Sequence, residues 1–153
     1  MMKSIILSPI AYVGNARKGM DDDFWGEVNS EITLVDDLPE ACFGGIEAFS
    51  HLEIIYYFDK SDKELKGAAH PRENKNWPKM GIFAQRKKDR PNHIGATIVE
   101  LLSRKGKTIT VKNLDAIDGT PVLDIKPVVK EFLPLGKVTQ PAWVSELMKD
   151  YWK

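Results

Sequence analysis

Apolar residues fall along this chain in short runs parted by polar stretches and by Gly and Pro. That pattern predicts many strands and few helices. Ser4 to Val13 is the first such run, and Glu31 to Val35 is a second. Between them Gly14 to Gly26 forms a polar loop holding Asn15, Arg17, Lys18 and the acidic run Asp21-Asp22-Asp23. Residues 36–49 read as irregular or briefly helical, broken by Gly44-Gly45. Ser50 to Phe58 is a third strand, whose Ile54-Ile55-Tyr56-Tyr57-Phe58 run predicts burial on both faces. Asp59 to Lys79 is a long polar loop, and segments of that length in a compact domain are usually functional or disordered. Met80 to Ala84 is a fourth strand. Ile94 to Leu102 and Thr108 to Leu114 form a hairpin through Lys105-Gly106, and Val122 to Val129 closes the series. A helix is expected from Pro141 to Trp152, with Val144, Leu147, Met148 and Tyr151 on one stripe and Pro141 in its first turn. No repeat or linker divides residues 1–153, so the expectation is one mainly-β domain, a barrel or sandwich with loop insertions and a C-terminal helix.

A chain of 153 residues can bury one sizeable core. Its 22 basic and 22 acidic side chains cancel, so a nucleic-acid partner needs a local basic patch. The densest candidate is Arg86-Lys87-Lys88-Asp89-Arg90. Cys42 is the only cysteine, which fits a reducing compartment and a cytoplasmic protein, and it reads as a small buried apolar residue. Pro9 interrupts the first apolar run and only Lys3 precedes it, which argues against a secretory leader. No apolar run approaches the ~18 residues that span a bilayer, so no membrane is expected. His51, His70 and His93 lack metal-ligand spacing, so no metal is expected either. There is no G-x-G-x-x-G after a strand, no P-loop and no G-x-S-x-G elbow.

Two stiff segments stand out: Arg90-Pro91-Asn92-His93-Ile94-Gly95 and Asp118-Gly119-Thr120-Pro121-Val122-Leu123-Asp124-Ile125-Lys126-Pro127. Pro91 fixes its own backbone and extends Arg90, and Gly95 permits close approach as a strand begins. Asp118-Gly119 is a tight-turn signal stiffened by Pro121. One reading is a pair of ordinary hairpin turns. The other is two loops that present an arginine, an asparagine and free backbone groups to a ligand. Asp115 and Asp118 fit acid–base work or, equally simply, capping of their own turn.

Taken with Gly45-Ile46-Glu47-Ala48-Phe49-Ser50-His51-Leu52 and Gly81-Ile82-Phe83-Ala84-Gln85-Arg86, and with the second segment extended back to Leu114, these motifs resemble the TrmO/YaeB family in order and spacing. The likeness covers roughly residues 9–134. It implies an S-adenosylmethionine-dependent tRNA methyltransferase built as a compact single-domain β-barrel, working as a homodimer with the cofactor near the subunit contact. The implied cofactor site joins Asn15, Ala16 and Arg17 with Ser50 and His51, Met80, Arg90, and the turn Asp118, Gly119, Thr120, Pro121 and Val122. The implied reaction methylates the exocyclic nitrogen of threonylcarbamoyl-adenosine beside the anticodon. Departures cluster around that site. Gly14-Asn15-Ala16-Arg17 stands where the family often has Arg-Ser-Pro, Gln85-Arg86-Lys87 replaces Thr-Arg-Ser, and His93 replaces a frequent proline. The chain also ends in its own helix where longer members continue.

Methyl transfer from a sulfonium needs alignment more than covalent help, but a urea-type nitrogen must lose a proton, so a general base is expected. His51 and Asp118 are the candidates, with a structural role for His51 as the other possibility. Asn92 either orients the acceptor or caps its turn. Backbone groups of Asp118–Val122 suit an adenine edge, and Arg90 suits a carboxylate or phosphate. Arg86, Lys87, Lys88 and Arg72 are the expected tRNA-facing cations, with Lys75 and Trp77 beside Arg72. Two alternatives remain at this stage: the same chemistry on a small molecule, peptide or other RNA, and a non-catalytic module that binds an adenosine ligand.

Overall fold

A computed structural model describes residues 2–153. Six strands close into an antiparallel barrel: β1 (Ala11–Gly14), β2 (Asn29–Leu34), β3 (His51–Tyr57), β6 (Ile94–Lys105), β7 (Thr108–Lys112) and β8 (Pro121–Pro127). Around the barrel they run β1-β2-β7-β6-β3-β8, with β8 returning to β1. Two short strands, β4 (Ala68–Ala69) and β5 (Met80–Gly81), pair outside it. One helix, α1 (Ala142–Met148), follows late in the chain. Among the described residues no helix is long and apolar enough to cross a membrane.

Period-two alternation builds the core. Ile32 and Leu34 of β2, Leu52, Ile54 and Tyr56 of β3, Val99 of β6, Ile109 and Val111 of β7 and Val122 of β8 all point inward and are buried. Each such aliphatic side chain contributes about 1.5–3 kcal/mol. Leu114 and Ala116, between β7 and β8, and Phe43, between β2 and β3, join the same buried core. Gly95 lets Tyr56, its partner across the β3–β6 ladder, lie flat over the strand. A Cβ there would sit 2.5 Å from the Tyr56 ring and 2.9 Å from Phe58. Gly106 turns the β6–β7 hairpin at φ +60°, which is where the sequence placed it.

Several expectations change. The run Ser4 to Val13 is a strand only from Ala11, because the chain before it has no ladder partner. The expected two-faced burial of residues 54–58 is one-faced: Ile55 is half-buried and Tyr57 exposed, since a closed barrel has a single inside. The strand expected over Met80–Ala84 stops at Gly81, and Ile82–Ala84 form a 3-10 turn. The 59–79 segment is not structureless. It pairs through β4 and turns at Pro71–Glu73. Cys42 is exposed, because the 3-10 turn Glu40–Phe43 aims Phe43 at the core instead.

The helix ends at Met148 rather than near Trp152 because its last residues bond elsewhere. The carbonyls of Asp150, Tyr151 and Lys153 accept the amides of Phe24, Trp25 and Gly26 at 3.1, 2.8 and 3.3 Å. Only glycine fits at position 26: an added Cβ would lie 1.9 Å from the Trp152 carbonyl oxygen. From this tail the Tyr151 hydroxyl donates to Asp115 Oδ2, while Tyr56 and Thr97 donate to Oδ1 at 3.0 and 2.5 Å. Burial first, and the Asp115 charge second, push both phenols far above their ordinary range.

The folded chain therefore keeps two protons that the unfolded chain releases above about pH 10. Stability contributed by these phenols is complete below that pH and falls as pH rises past it. Tyr151→Phe should cost roughly 1.5–3 kcal/mol near neutrality, the worth of a hydrogen bond to a charged group. It should also soften the alkaline decline. Urea denaturation of both proteins near neutrality and above about pH 10 measures both effects.

Candidate functional site

The strand register sorts the expected site residues by end of the barrel. β3 has seven residues and β8 runs antiparallel to it, with Tyr56 opposite Val122 and Leu52 opposite Pro127. At about 3.3 Å per residue, the two ends of β3 lie roughly 20 Å apart. One end gathers the loop after β1, the turn before β8 and the segment that leads into β6. Ser50 and His51 sit at the opposite end, with the Ser50 hydroxyl 2.7 Å from His51 Nδ1 and both residues exposed. Within one copy of the chain they do not share a site with Asp118.

At the first end, the loop after β1 and the turn before β8 interlock. The Asn15 amide N–H donates to Asp118 Oδ1 at 3.1 Å, and the Asp118 N–H donates to the Arg17 carbonyl at 2.8 Å. The Gly119 N–H reaches the Val13 carbonyl at 2.7 Å, and the Val13 N–H returns to Thr120 at 3.0 Å. Asn15 Nδ2 donates to Ser30 Oγ and the Ala116 carbonyl at 2.9 and 2.8 Å, while its Oδ1 accepts the Arg17 N–H at 2.9 Å. Buried Thr120 caps Ile117 through its hydroxyl at 2.7 Å, and Gly119 supplies the left-handed φ of 84°. Pro121 and Val122 then open β8. The amides of Asp118, Gly119 and Thr120 are thus all used internally. The carbonyls of Asp118 and Gly119 accept no bond among the described residues.

The 59–93 excursion folds against the same end. Arg90 is half-buried, and its Nη1 donates to the carbonyls of Gln85 and Lys87 at 2.7 and 3.3 Å. Gln85 Nε2 in turn holds the carbonyls of Ala69 and Met80 at 2.9 and 3.0 Å. Asn92 and His93 both have positive φ, 66° and 51°, an uncommon pair for non-glycine residues. The surroundings fix them there. The Phe58 N–H bonds the His93 carbonyl at 2.8 Å, and the His93 ring meets the Lys63 carbonyl at 2.7 Å. Asn92 is exposed and its side chain bonds nothing among the described residues, so it does not cap its turn. Strain of this kind, roughly 1–3 kcal/mol per residue, gathers at binding sites.

Several cations have internal tasks. Arg72, expected to face RNA, makes a two-pronged bond to Asp23 at 3.1 and 2.9 Å and stands 3.6 Å from Asp22, clasping the two loops together. Arg17 lies 4.0 Å over the Trp25 ring and donates to the carbonyls of Asp21, Asp23 and Phe24, so it braces its own loop. Ala16 beside it is exposed. Lys88 pairs with Asp89 at 3.5 Å. Burial pushes the Asp89 carboxyl up, but the Ser61 hydroxyl and Lys88 outweigh it and hold it below its ordinary value. Arg86 is exposed and donates to the Ala96 carbonyl. Lys87 makes no ion pair among the described residues, which leaves Arg86 and Lys87 as the cations facing outward from this run. Among the described residues no group of three His, Cys, Asp or Glu could hold a metal ion.

Asp115 with Tyr56, Thr97 and Tyr151 is the polar cluster that sequence reasoning missed. Asp115 was visible in its motif, and Tyr151 in the apolar stripe, but nothing linear joins them.

Against this geometry, the family model described as tRNA-methyltransferase O N-terminal domain matches residues 19–132. A probable S-adenosyl-L-methionine-binding protein of Archaeoglobus fulgidus is 39% identical over 123 residues, 79% of this chain and 32% of that one. A human tRNA (adenine(37)-N6)-methyltransferase is 38% identical over 104 residues, 67% of this chain and 23% of that one. A solved structure of TrmO superposes with a TM-score of 0.75 at 25% identity, covering 90% of this chain and 64% of that one. The chain thus spans only about a third of the length of the first relative and a quarter of the second.

Asn15 is the residue on which the interlock turns. Asn15→Ala strands the Ala116 carbonyl and frees the Arg17 amide, and should cost roughly 1–3 kcal/mol. Amide exchange at Arg17 and Asp118 should quicken at least as much as the global stability falls, and exchange in β2 and β7 should follow the global change alone.

Proposed function

Since the chain belongs to the tRNA-methyltransferase O N-terminal domain family, we propose that it binds S-adenosylmethionine at the Asp118 end of the barrel and methylates tRNA there. The acceptor in this reading is the exocyclic nitrogen of threonylcarbamoyl-adenosine beside the anticodon. The observation that carries it is the interlocked Asn15–Asp118 turn set beside the strained Asn92–His93 backbone. Together they make a rigid, prebuilt surface, and rigid alignment is what a transfer from an activated donor requires.

The residues present fit an adenosine cofactor. The carbonyls of Asp118 and Gly119, unbonded among the described residues, suit the donor N–H groups of an adenine amino group. The turn's amides, being occupied, are not available for that edge. The Arg90 guanidinium, tethered through Nη1 alone, keeps donors for a carboxylate. When bound, S-adenosylmethionine supplies a methyl group already activated by its sulfonium. The protein's remaining tasks are to orient the acceptor and to take its proton. Asn92, with an unbonded amide, orients. Asp118 takes the proton on Oδ2, because Oδ1 is held by Asn15; Lys18 stands 3.9 Å from Oδ2. His51 reaches this chemistry only across a contact between two copies. Arg86 and Lys87 supply the phosphate contacts in the cytoplasmic setting that the lone cysteine suits.

A second reading, the same transfer to a smaller acceptor, draws on the neutralised Arg72 and Lys88. Few free cations at the site suit an acceptor with few phosphates.

Calorimetry tests the cofactor and tRNA assays test the acceptor. The protein should bind S-adenosylmethionine, and Arg90→Ala should bind it at least 10-fold more weakly, about 1.4 kcal/mol. Methyl incorporation should require tRNA bearing the threonylcarbamoyl group. Turnover on unmodified tRNA or on a small acceptor instead would favour the second reading, and no cofactor binding would end both. For the RNA surface, Lys87→Ala should lower tRNA affinity and reduce the slope of log affinity against log salt by about 0.7–0.9, one phosphate contact.

A further inference from the structure

Asp89 is the only charged residue buried among the described residues, and no step of the proposed transfer uses it. A carboxylate withdrawn from water stays there only with partners. Its Oδ1 accepts the Ser61 hydroxyl at 2.5 Å and stands 3.5 Å from Lys88 Nζ. The Ser61 hydroxyl also lies 3.2 Å from the Lys63 carbonyl, but it has a single proton, and the nearer, charged acceptor takes it. The Lys63 carbonyl is then left to the His93 ring, 2.7 Å away. A carbonyl only accepts, so His93 Nε2 carries the proton of that bond.

Both holds come from one turn. The Asp59 N–H donates to the Tyr57 carbonyl at 2.9 Å and the Ser61 N–H to the Phe58 carbonyl at 3.2 Å, which curls residues 59–63 onto the end of β3. The turn grips the next segment at two points, Asp89 by a side chain and His93 by a backbone carbonyl. Arg90 and Asn92 stand between those points. Bonds from the Arg90 N–H to Lys88 at 3.0 Å, and from Nη1 to Gln85 and Lys87, fix the guanidinium within its own loop. The Ser61–Asp89 bond ties that loop to the end of β3 at the residue next to Arg90. Nε and Nη2 of Arg90 make no bond among the described residues and remain for a ligand.

We propose, resting on the reading that Arg90 takes the carboxylate of S-adenosylmethionine, that Ser61 and Asp89 are its positioning residues. The Ser61–Asp89 bond sets where the free donors of Arg90 stand before the cofactor arrives. Affinity for the carboxylate therefore depends on a hydroxyl that acts through Arg90 and not by contact. A guanidinium held in advance avoids the ordering cost that a mobile arginine meets on binding.

Calorimetry with two ligands separates this role from a merely structural one. S-adenosylmethionine carries the carboxylate, whereas 5′-methylthioadenosine keeps the adenosine and the sulfur without it. Ser61→Ala should bind S-adenosylmethionine at least about 5-fold more weakly than the unaltered protein, within the coupling expected inside one network. It should bind 5′-methylthioadenosine equally well, which also shows that the rest of the site is intact. Ser61→Thr, which keeps the hydroxyl, should restore the affinity. In an Arg90→Ala background, Ser61→Ala should cost nothing further. Unchanged S-adenosylmethionine affinity in Ser61→Ala would overturn the proposal while leaving the cofactor reading in place. So would an equal loss for both ligands, or a full additional loss on top of Arg90→Ala. An unaltered protein that binds no S-adenosylmethionine would overturn the cofactor reading and this proposal together.

Discussion

The Asp118 end of this barrel depends on one constraint: backbone polar groups withdrawn from water must find partners. The chain leaves β1 and enters β8 at neighbouring points, where no further ladder is available. Asn15 substitutes for one, spending both side-chain donors and its acceptor on Ser30, Ala116 and Arg17. The backbone of Asp118–Thr120 closes the remainder against Val13 and Arg17. A direct chemical consequence follows. The turn spends the amides of Asp118, Gly119 and Thr120 internally and leaves the carbonyls of Asp118 and Gly119 unbonded among the described residues, so in the proposed reading it suits a ligand edge that donates. A turn with free amides would have selected an anion in the same place.

That interlock would be only a surface feature if its two flanks could drift. Each is tied down. The C-terminal tail adds a short backbone ladder to residues 24–26 and sends Tyr151 to Asp115, three positions before Asp118. The 59–93 excursion is clasped to the same loop by Arg72 and Asp23, and its far end is pinned by Phe58 and Lys63 on either side of His93. The uncommon backbone at Asn92–His93 persists because those contacts over-determine it. Position 95 belongs to the same arrangement, since any side chain there would displace Tyr56, which holds Asp115 from the core side.

How much of this was legible in the sequence varies with how local the cause is. The β6–β7 hairpin was readable because Gly106 sets its turn by itself. So was the closeness demanded at Gly95. Ser4–Ser8 has the composition of a strand yet forms none in the single copy, because a strand is defined by a partner that composition does not name. Cys42 has an apolar residue's habits, but the turn at Glu40–Phe43 can face only one side chain inward, and Phe43 is the larger. At the site, the pairing of residues near 15 with those near 118 followed from the resemblance and not from spacing. Asp115 with Tyr151 followed from neither. The separation of His51 from Asp118 needed the register of β3 against β8, which no linear pattern contains.

The charges make the same point about what a chain can and cannot announce. Read linearly, Arg86–Arg90 is a basic run and Arg72 belongs to a basic loop. Folded, Arg72 is cancelled by Asp23, Lys88 is drawn to Asp89, and Arg90 is anchored to two carbonyls. A guanidinium held this way loses little entropy when it meets a ligand, so each remaining donor counts for more than on a free side chain. In the proposed reaction, balanced net charge and few free cations would place discrimination in the rigid turn, with a phosphate-rich partner recruited weakly and released readily as salt rises.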